Sequence, residues 1–326
     1  MSNDNFYWKP GASINALKAR AKLLSKVRSF FKERSVLEVE TPLLSSSADN
    51  DPQINLFSLS KINNTDNSKL YLQPSPELFM KRLLASGSGS IFQISKAFRN
   101  HENGKFHNSE FSILEWYRVN FSSDELIEEI AALIRIILET PDLEIIKKKY
   151  ADVFLEYLDL HIVDMDSKDL ENFVVEMTEI DNISGEMEKD DWLDLLMGNL
   201  IIPMLGLDHL IFITNYPASQ SALAKINKKN KNEAHRFELF YRGYELANGF
   251  EELTNHSEQR ERFHQNNMKR RNRAQEELII DNKFLSALDY GLPECSGVAV
   301  GLDRLLMCLL ETNDIDEVLS FSFKRI

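Results

Sequence analysis

The sequence predicts an α/β (α+β) chain in which a largely antiparallel sheet is flanked by helices, and three observations carry that expectation. The stretch FRNHENGKFHNSEFSILEWYR, Phe98 to Arg118, reads as a strand end, a polar loop and a returning strand. Amphipathic helices are spelled out at Ile14 to Lys32 and at Ser122 to Thr140. Near the far end, CSGVAVGLDRLLMCLLE, Cys295 to Glu311, reads as a small-residue strand that passes through Gly301 into an apolar helix.

In the first helix Leu17, Ala21, Leu24, Val27, Phe30 and Phe31 fall on one stripe and basic residues on the other, with Ser13 as N-cap. VLEVETPLL (Val36 to Leu44) then reads as a strand closed by Pro42, which forces Thr41 into extended geometry. Ser45 to Ser68, rich in Asp, Asn and Ser, reads as a mobile or variable loop around a short strand near Leu56 to Leu59. KLYLQPSPELFMKRLLASG gives a strand, a turn at Pro74 to Pro76 and a helix from about Glu77. Pro141 to Lys231 reads as mostly helical with one clear strand, LIFITNYP, at Leu210 to Pro217. Extended pattern returns over His235 to Leu253, followed by a helix over about Ser257 to Arg273.

Alternation on the returning strand of the hairpin puts Phe111, Ile113, Glu115 and Tyr117 on one face, so an aromatic ring, a carboxylate and a phenol point the same way. On the approach strand Gln93, Ser95, Ala97 and Arg99 share a polar face, and the planar fork of an arginine suits a phosphate. An ordinary surface hairpin with salt bridges has the same residue types. In YELANGFEEL, plain alternation places Asn248, Phe250 and Glu252 together and leaves Glu245 out of phase, so a bulge near Ala247 is required if Glu245 serves the same face. Glu238 and Glu245, separated by the bend at Arg242 and Gly243, are carboxylates that can meet on adjacent strands, a donor type that suits Mg²⁺. Surface acidity explains them equally well at this level. Arg304 stands in the first turn of the helix after Gly301, where it could cover a nucleobase, and a tight strand-to-helix packing junction accounts for the same glycines.

The chain of 326 residues is long enough for one large domain or two ordinary ones, and a hydrophobic content of 43% builds a substantial core. Its formal charge of −13 argues against extended nucleic acid as a partner. The basic clusters at Lys147 to Lys149, at Lys228, Lys229 and Lys231, and at Lys269 to Arg273 read as solvated faces. No basic start leads into an apolar run and no stretch reaches the ~18 uninterrupted apolar residues of a membrane span, so a cytoplasmic protein is expected. Cys295 and Cys308 are too few for a disulfide framework, and the seven histidines form no HxxxH cluster; a transition-metal centre is not expected.

Taken in order, the helix-strand-Pro unit, FRN…HNSEF and GVAVGLDRL resemble the three signature motifs of class II aminoacyl-tRNA synthetases, and the resemblance covers almost the whole chain. SPELFMKRLL, HNSEFSILEWY, YELANGFEEL and GLDRLLM are similar to the lysyl-tRNA synthetase catalytic domain, and PASQSALA with CSGVAVG resembles its truncated bacterial paralogues, the ligases of (R)-β-lysine to elongation factor P. The resemblance implies a single catalytic domain over 1–326 with a mostly helical insertion at about 141–231, a homodimer built on the first helix and strand, and no anticodon-binding domain. It implies ATP as substrate, Mg²⁺ as cofactor, and two catalytic arginines, Arg99 on the α-phosphate and Arg304 sandwiching adenine with Phe111. Asn100, His101, Asn108, Glu245, Leu246 and Gly301 would complete the ATP site, and Glu238 and Glu245 would hold the metal. The amino acid would lie among Ser75, Pro76, Glu77, Glu115, Tyr117, Asn248, Phe250, Glu252 and Ala299. Glu115 would lie near its amino group, and its distal ammonium would face Glu77 and Glu252.

Two positions depart from the synthetase pattern. His101 stands where the family usually has glutamate and Glu102 follows it, so either Glu102 shifts into register or His101 makes the adenine contact with a ring nitrogen or backbone group. Ala299 stands where similar synthetases generally carry glycine, a methyl-sized change of the kind that biases substrate choice by about 1–3 kcal/mol. The implied activity is formation of an aminoacyl-adenylate and transfer to a lysine of elongation factor P, with no tRNA expected. Two other readings are an α-lysine-activating ligase with a tRNA, lipid or small-amine acceptor, and a catalytically silent amino-acid sensor.

Overall fold

The computed structural model describes residues 8–60, 69–178 and 187–326, in two compact units. Positions 61–68 of the expected loop and 179–186 of the expected insertion lie outside the described residues, as do residues 1–7. The first unit takes 1–140 and 252–326; the second takes 141–251.

The first unit opens with α1 (Ile14–Glu33), whose N-cap Ser13 accepts from the Ala16 N–H at 3.1 Å. It continues through β1 (Leu37–Glu38), β2 (Leu44–Ser45), β3 (Ser58–Ser60), β4 (Lys69–Leu72), α2 (Glu77–Ala85), β5 (Ile91–Phe98), β6 (Glu110–Val119) and α3 (Ser123–Leu138). The second unit comprises β7 (Ile145–Lys149), α4 (Tyr150–Leu158), α5 (Ser167–Thr178), α6 (Lys189–Leu196), β8 (Leu210–Pro217), β9 (Glu233–Tyr241) and β10 (Tyr244–Glu251). The chain then returns to the first unit with α7 (His256–Asn272), α8 (Asn282–Gly291), β11 (Cys295–Gly301) and α9 (Leu302–Leu310).

The strands of the first unit run β1-β5-β6-β11, parallel at the β1–β5 pair and antiparallel elsewhere, beside a small antiparallel sheet β2-β4-β3. The expected strand over Val36 to Leu44 is thus two short strands in two sheets. Pro42 is the reason: it has no N–H to give a ladder, and the chain leaves β5 after the Val39 N–H bonds Phe92 O at 2.9 Å. On α1 the buried stripe is Ala16, Leu23, Val27, Phe30 and Phe31. Ala21, expected inside, is exposed, and Leu24 is half-buried. Arg20 occupies the inward stripe between Ala16 and Leu23, and its guanidinium reaches Asp303 at 2.5 Å. Phe31 stacks on Phe92 with ring centres 4.5 Å apart and meets Trp116 edge-on at 5.2 Å, fastening helix to sheet through pairs worth about 0.5–1.5 kcal/mol each beyond their burial.

The segment 46–57 is held at both sides rather than left loose. Asn50 Nδ2 donates to Phe263 O at 2.7 Å, the buried Arg270 donates to Asp51 O at 3.0 Å, and Asn55 O accepts the Asn100 N–H at 2.7 Å. Its backbone carbonyls thereby find donors from α7 and from the start of the hairpin loop, which side-chain composition could not foretell.

The strands of the second unit run β10-β9-β8-β7. β7 was not expected from the sequence: IIKKK lacks clean alternation, yet it pairs parallel with β8 from Ile145 to Lys149. Tyr150, Phe154, Leu170, Trp192, Leu196, Ile211, Ile213 and Phe240 gather helices α4, α5 and α6 over one face of these strands. Among the described residues no helix is long and apolar enough to cross a membrane.

Candidate active site

In the first unit, cross-strand register builds one row of side chains from Gln93, Glu115 and Ala299, and the next from Ile91, Tyr117 and Gly297. Facing partners in a ladder project to the same side, so Glu115 and Tyr117 share a face, as alternation predicts. Glu115 is buried and its two oxygens accept from Ser75 Oγ and from Tyr117 Oη, each at 2.7 Å. The Ser75 hydroxyl in turn accepts the Glu77 N–H at 3.0 Å, fixing the start of α2 just after Pro76. Four sequence-predicted residues from three elements are thereby joined in one hydrogen-bonded chain.

Three further residues join this group that are not among the expected site residues, although alternation puts Gln93 on the polar face of its strand. Lys81, one turn along α2 from Glu77, is only 1% exposed and sits 2.6 Å from Glu77 Oε1 and 2.5 Å from Glu252 Oε2. Asp49 couples electrostatically to Glu77 and Lys81. Gln93 is buried with an Oε1 that finds no hydrogen-bond donor among the described residues. The i,i+4 spacing of Glu77 and Lys81 is indistinguishable in sequence from a solvated helix pair, which is why Lys81 escaped notice. Asp49 was hidden in a loop-like composition.

Burial pushes the Glu115 carboxyl up to about 7, aided by the charge of Glu77. Burial likewise lifts Glu252 to about 8, against the lowering effect of Lys81, and lifts Asp49 to about 7 with help from Asp51 and Glu77. Burial alone would depress the Lys81 ammonium, but Glu252 and Glu77 together hold it above its ordinary value. Neither oxygen of Glu252 receives an aligned hydrogen bond among the described residues, although Lys81 is in ion-pair contact. Unspent acceptors this deep are costly unless a cationic ligand supplies the missing donors.

The hairpin loop carries the basic residues. The Arg99 guanidinium lies 5.3 Å from the Phe111 ring centre, and its Nη1 is 3.8 Å from Glu102 Oε1. His101 adopts a left-handed backbone with φ 65°, its N–H bonded to Asn100 Oδ1 at 2.9 Å. After that turn it is Glu102 that lies beside Arg99. Asn108 spends both ends of its amide on the backbone, donating to Glu110 O and accepting the Phe323 N–H, so it braces the loop. Arg304 on α9 donates to Phe106 O at 3.4 Å and approaches His107 Nε2 at 2.5 Å. A Cβ at Gly301 would meet nothing within 4 Å, so tight strand-to-helix packing does not explain this glycine.

In the second unit the two-residue bend at Arg242 and Gly243, both at positive φ, joins β9 to β10. The ladder shifts register between Glu245 and Ala247, the bulge that bringing Glu245 into phase requires. Asn248 lies directly opposite Glu238, and its Oδ1 has no donor among the described residues. Leu246 is buried and Phe250 half-buried on the same strand. Glu238 accepts from Tyr216 Oη at 2.7 Å and from Arg236, and burial raises its carboxyl, with Glu245 adding repulsion. Among the described residues no group of three or more His, Cys, Asp or Glu side chains is arranged as a metal cage. Two mutually repelling carboxylates fit the other habit of Mg²⁺, which takes one or two protein carboxylates and completes its shell with substrate phosphate and water.

The family model for class II tRNA synthetases (D, K and N) matches residues 9–325. The chain belongs to this class II synthetase family. Among its relatives, the elongation factor P (R)-β-lysine ligase of Vibrio cholerae serotype O1 is 43% identical over 98% of this chain and 99% of the relative. Proteins of the same name from Buchnera aphidicola and Proteus mirabilis are each 42% identical, over 98% of both chains. Membership of the class II family accords with the antiparallel pairing of β5, β6 and β11 and with the helices that flank them.

Proposed function

We propose that this chain is an ATP-dependent, AMP-forming ligase that activates (R)-β-lysine and transfers it to the ε-amine of a lysine on elongation factor P. The observation that carries the reading is the carboxylate set Asp49, Glu77, Glu115 and Glu252, of which Glu115 and Glu252 are buried and Glu252 keeps acceptor capacity, which suits an amino acid bearing two ammonium groups. The names of the relatives support the choice of lysine and of the protein acceptor. A formal charge of −13 supports a protein acceptor over tRNA.

In the first step the substrate carboxylate attacks the α-phosphorus of ATP; a C–O–P bond forms, the bond to the β-phosphate oxygen breaks, and pyrophosphate leaves. In the second, the acceptor amine attacks the activated carbonyl, the amide forms, AMP leaves with the bonding electrons, and the amine proton passes to solvent. Arg99 would draw charge from the α-phosphate, and Arg304 with Phe111 would bracket adenine, with Asn100, His101 or Glu102, Leu246 and Gly301 along the nucleotide. Ser75, Pro76, Tyr117, Asn248, Phe250 and Ala299 would shape the amino-acid pocket. Glu238 and Glu245 would hold Mg²⁺, which when bound neutralises phosphate charge as it builds. Charge and proximity, more than acid or base chemistry, supply the acceleration. We further propose a single catalytic domain carrying the 141–231 segment as an insertion, a homodimer through α1 and the exposed edge at Leu37, and a cytoplasmic reaction, ATP being its co-substrate.

The deciding experiment is the intact mass of elongation factor P after incubation with this protein, ATP, Mg²⁺ and either (R)-β-lysine or α-lysine, with tRNA charging in parallel. The expected result is a mass gain mainly with (R)-β-lysine. Adenylate formation without that gain, or charged tRNA, would move the assignment to an α-lysine ligase, and no ATP turnover at all would overturn catalysis.

A further inference from the structure

A fully buried lysine in a pocket meant for a lysine-like substrate needs explanation. Lys81 is among the largest side chains buried to this degree, and its ammonium touches two carboxylates that come from sequence-distant elements, Glu77 on α2 and Glu252 just beyond β10. Glu77 and Glu252 are the residues that the family resemblance points at the distal ammonium of the substrate. The groups facing this ammonium are Glu77 from α2, Asp49 from the 46–57 segment, Glu115 from β6 and Glu252, and the Tyr117 phenol is held against Glu115. Two carboxylates thus touch one resident cation, and its charge is felt by two more, Asp49 and Glu115.

Resting on the proposed function, we propose that Lys81 is a positioning residue for the amino-acid substrate: an ammonium built into the chain that fixes Glu77 and Glu252 in one geometry and cancels part of the pocket's negative charge, leaving the rest for the two ammonium groups of a diamino acid. Glu77 is only half-buried, and Glu252 meets Lys81 through Oε2 while its Oε1 lies beside Gly297 without a donor among the described residues, so both retain acceptor capacity for a second cation. Without Lys81 the carboxylates would repel one another and take up protons, since a buried carboxylate without a partner is neutralised more readily than it is solvated. A protonated Glu252 offers a donor where the substrate needs an acceptor. Lys81 therefore opposes the proton uptake that burial favours at Glu252.

The test is ATP–pyrophosphate exchange with (R)-β-lysine and with α-lysine, run from pH 5.5 to 9 on the unmutated chain, on Lys81→Met and on Lys81→Arg, with circular dichroism for each. Lys81→Met is expected to raise KM for the diamino acid about tenfold or more, with a smaller change in kcat, and to move the acid limb of kcat/KM to higher pH. Lys81→Arg, which keeps the charge but changes the head group, should leave that limb in place while still raising KM severalfold. A merely structural lysine would lower thermal stability without moving the limb. An unmoved limb and unchanged KM in a folded Lys81→Met protein overturn the inference. If Lys81→Met does not fold, an unchanged KM in Lys81→Arg overturns it instead. Absence of exchange in the unmutated chain sinks the proposed reaction itself, whereas exchange there with unaltered variants sinks only the role of Lys81.

Discussion

Gly297 shows how tightly the pocket floor is drawn. A methyl group there would stand 2.3 Å from the Tyr117 ring and 2.5 Å from Glu252 Oε1, so one or both must move. Overpacking of this kind costs about 1–3 kcal/mol, and here the displaced atoms are those of the pocket. Gly297→Ala is expected to keep its fold by circular dichroism while losing at least about tenfold in kcat/KM for pyrophosphate exchange; a folded variant with full activity would remove Tyr117 and Glu252 from substrate contact. Ala299, two residues on, already carries the methyl and lies opposite Glu115, so the same strand face tolerates a Cβ at one rung and not at the next. Strand periodicity made Glu115, Tyr117 and Ala299 legible because the side-chain repeat is two residues. Lys81 was not legible, because only long-range folding decides whether an i,i+4 pair faces water or a second carboxylate such as Glu252.

At the scale of elements, α3 is fastened to the sheet by Glu129. This mostly buried carboxylate accepts from Trp116 Nε1 at 3.1 Å and lies 3.3 Å from Arg118 Nε on β6 and 3.7 Å from Arg34 Nε at the end of α1. Burial raises its carboxyl above the ordinary range, opposed by Arg118. Glu129→Gln keeps the shape and an acceptor for Trp116 but leaves two guanidinium groups without their counter-charge. We expect a loss of about 1–3 kcal/mol in denaturant unfolding, because both arginines retain some access to water. A loss below about 0.5 kcal/mol would mean that Trp116 alone carries the junction. The hairpin β5–β6, helices α2 and α3 and the β11–α9 junction followed from pattern and caps, Ser122 and Glu125 forming a full capping box. What pattern could not reveal was pairing: the division of 36–45 between two sheets, the parallel β7, and α8, whose cap Asp281 accepts from Lys283 N and Phe284 N.

The whole molecule inherits a pH dependence from its pocket. Asp49, Glu115 and Glu252 titrate at about 7, 7 and 8 when folded, above the ~4 of exposed carboxylates, so between those values the folded state binds more protons than the unfolded state. Stability contributed by these protons is present at low pH and is lost as pH rises through 7 to 8. The melting temperature of the ligand-free protein should therefore fall from pH 6 to pH 8.5, by a few degrees at roughly 2–4 °C per kcal/mol, and a saturating diamino acid should narrow the fall. The decline should persist in 0.5 M salt, which screens surface repulsion but not buried charge; a flat or rising profile would contradict the burial of these groups. The interruption of the first unit by the second has a consequence during synthesis. β6 is paired with β5 soon after it emerges, but its other neighbour, β11, begins at Cys295. Translation at about 5–20 residues per second leaves that side of β6 without its partner for roughly ten to thirty seconds. For that interval the strand that carries Glu115 and Tyr117 is an open edge, the form in which a β-strand is most exposed to pairing with another nascent chain.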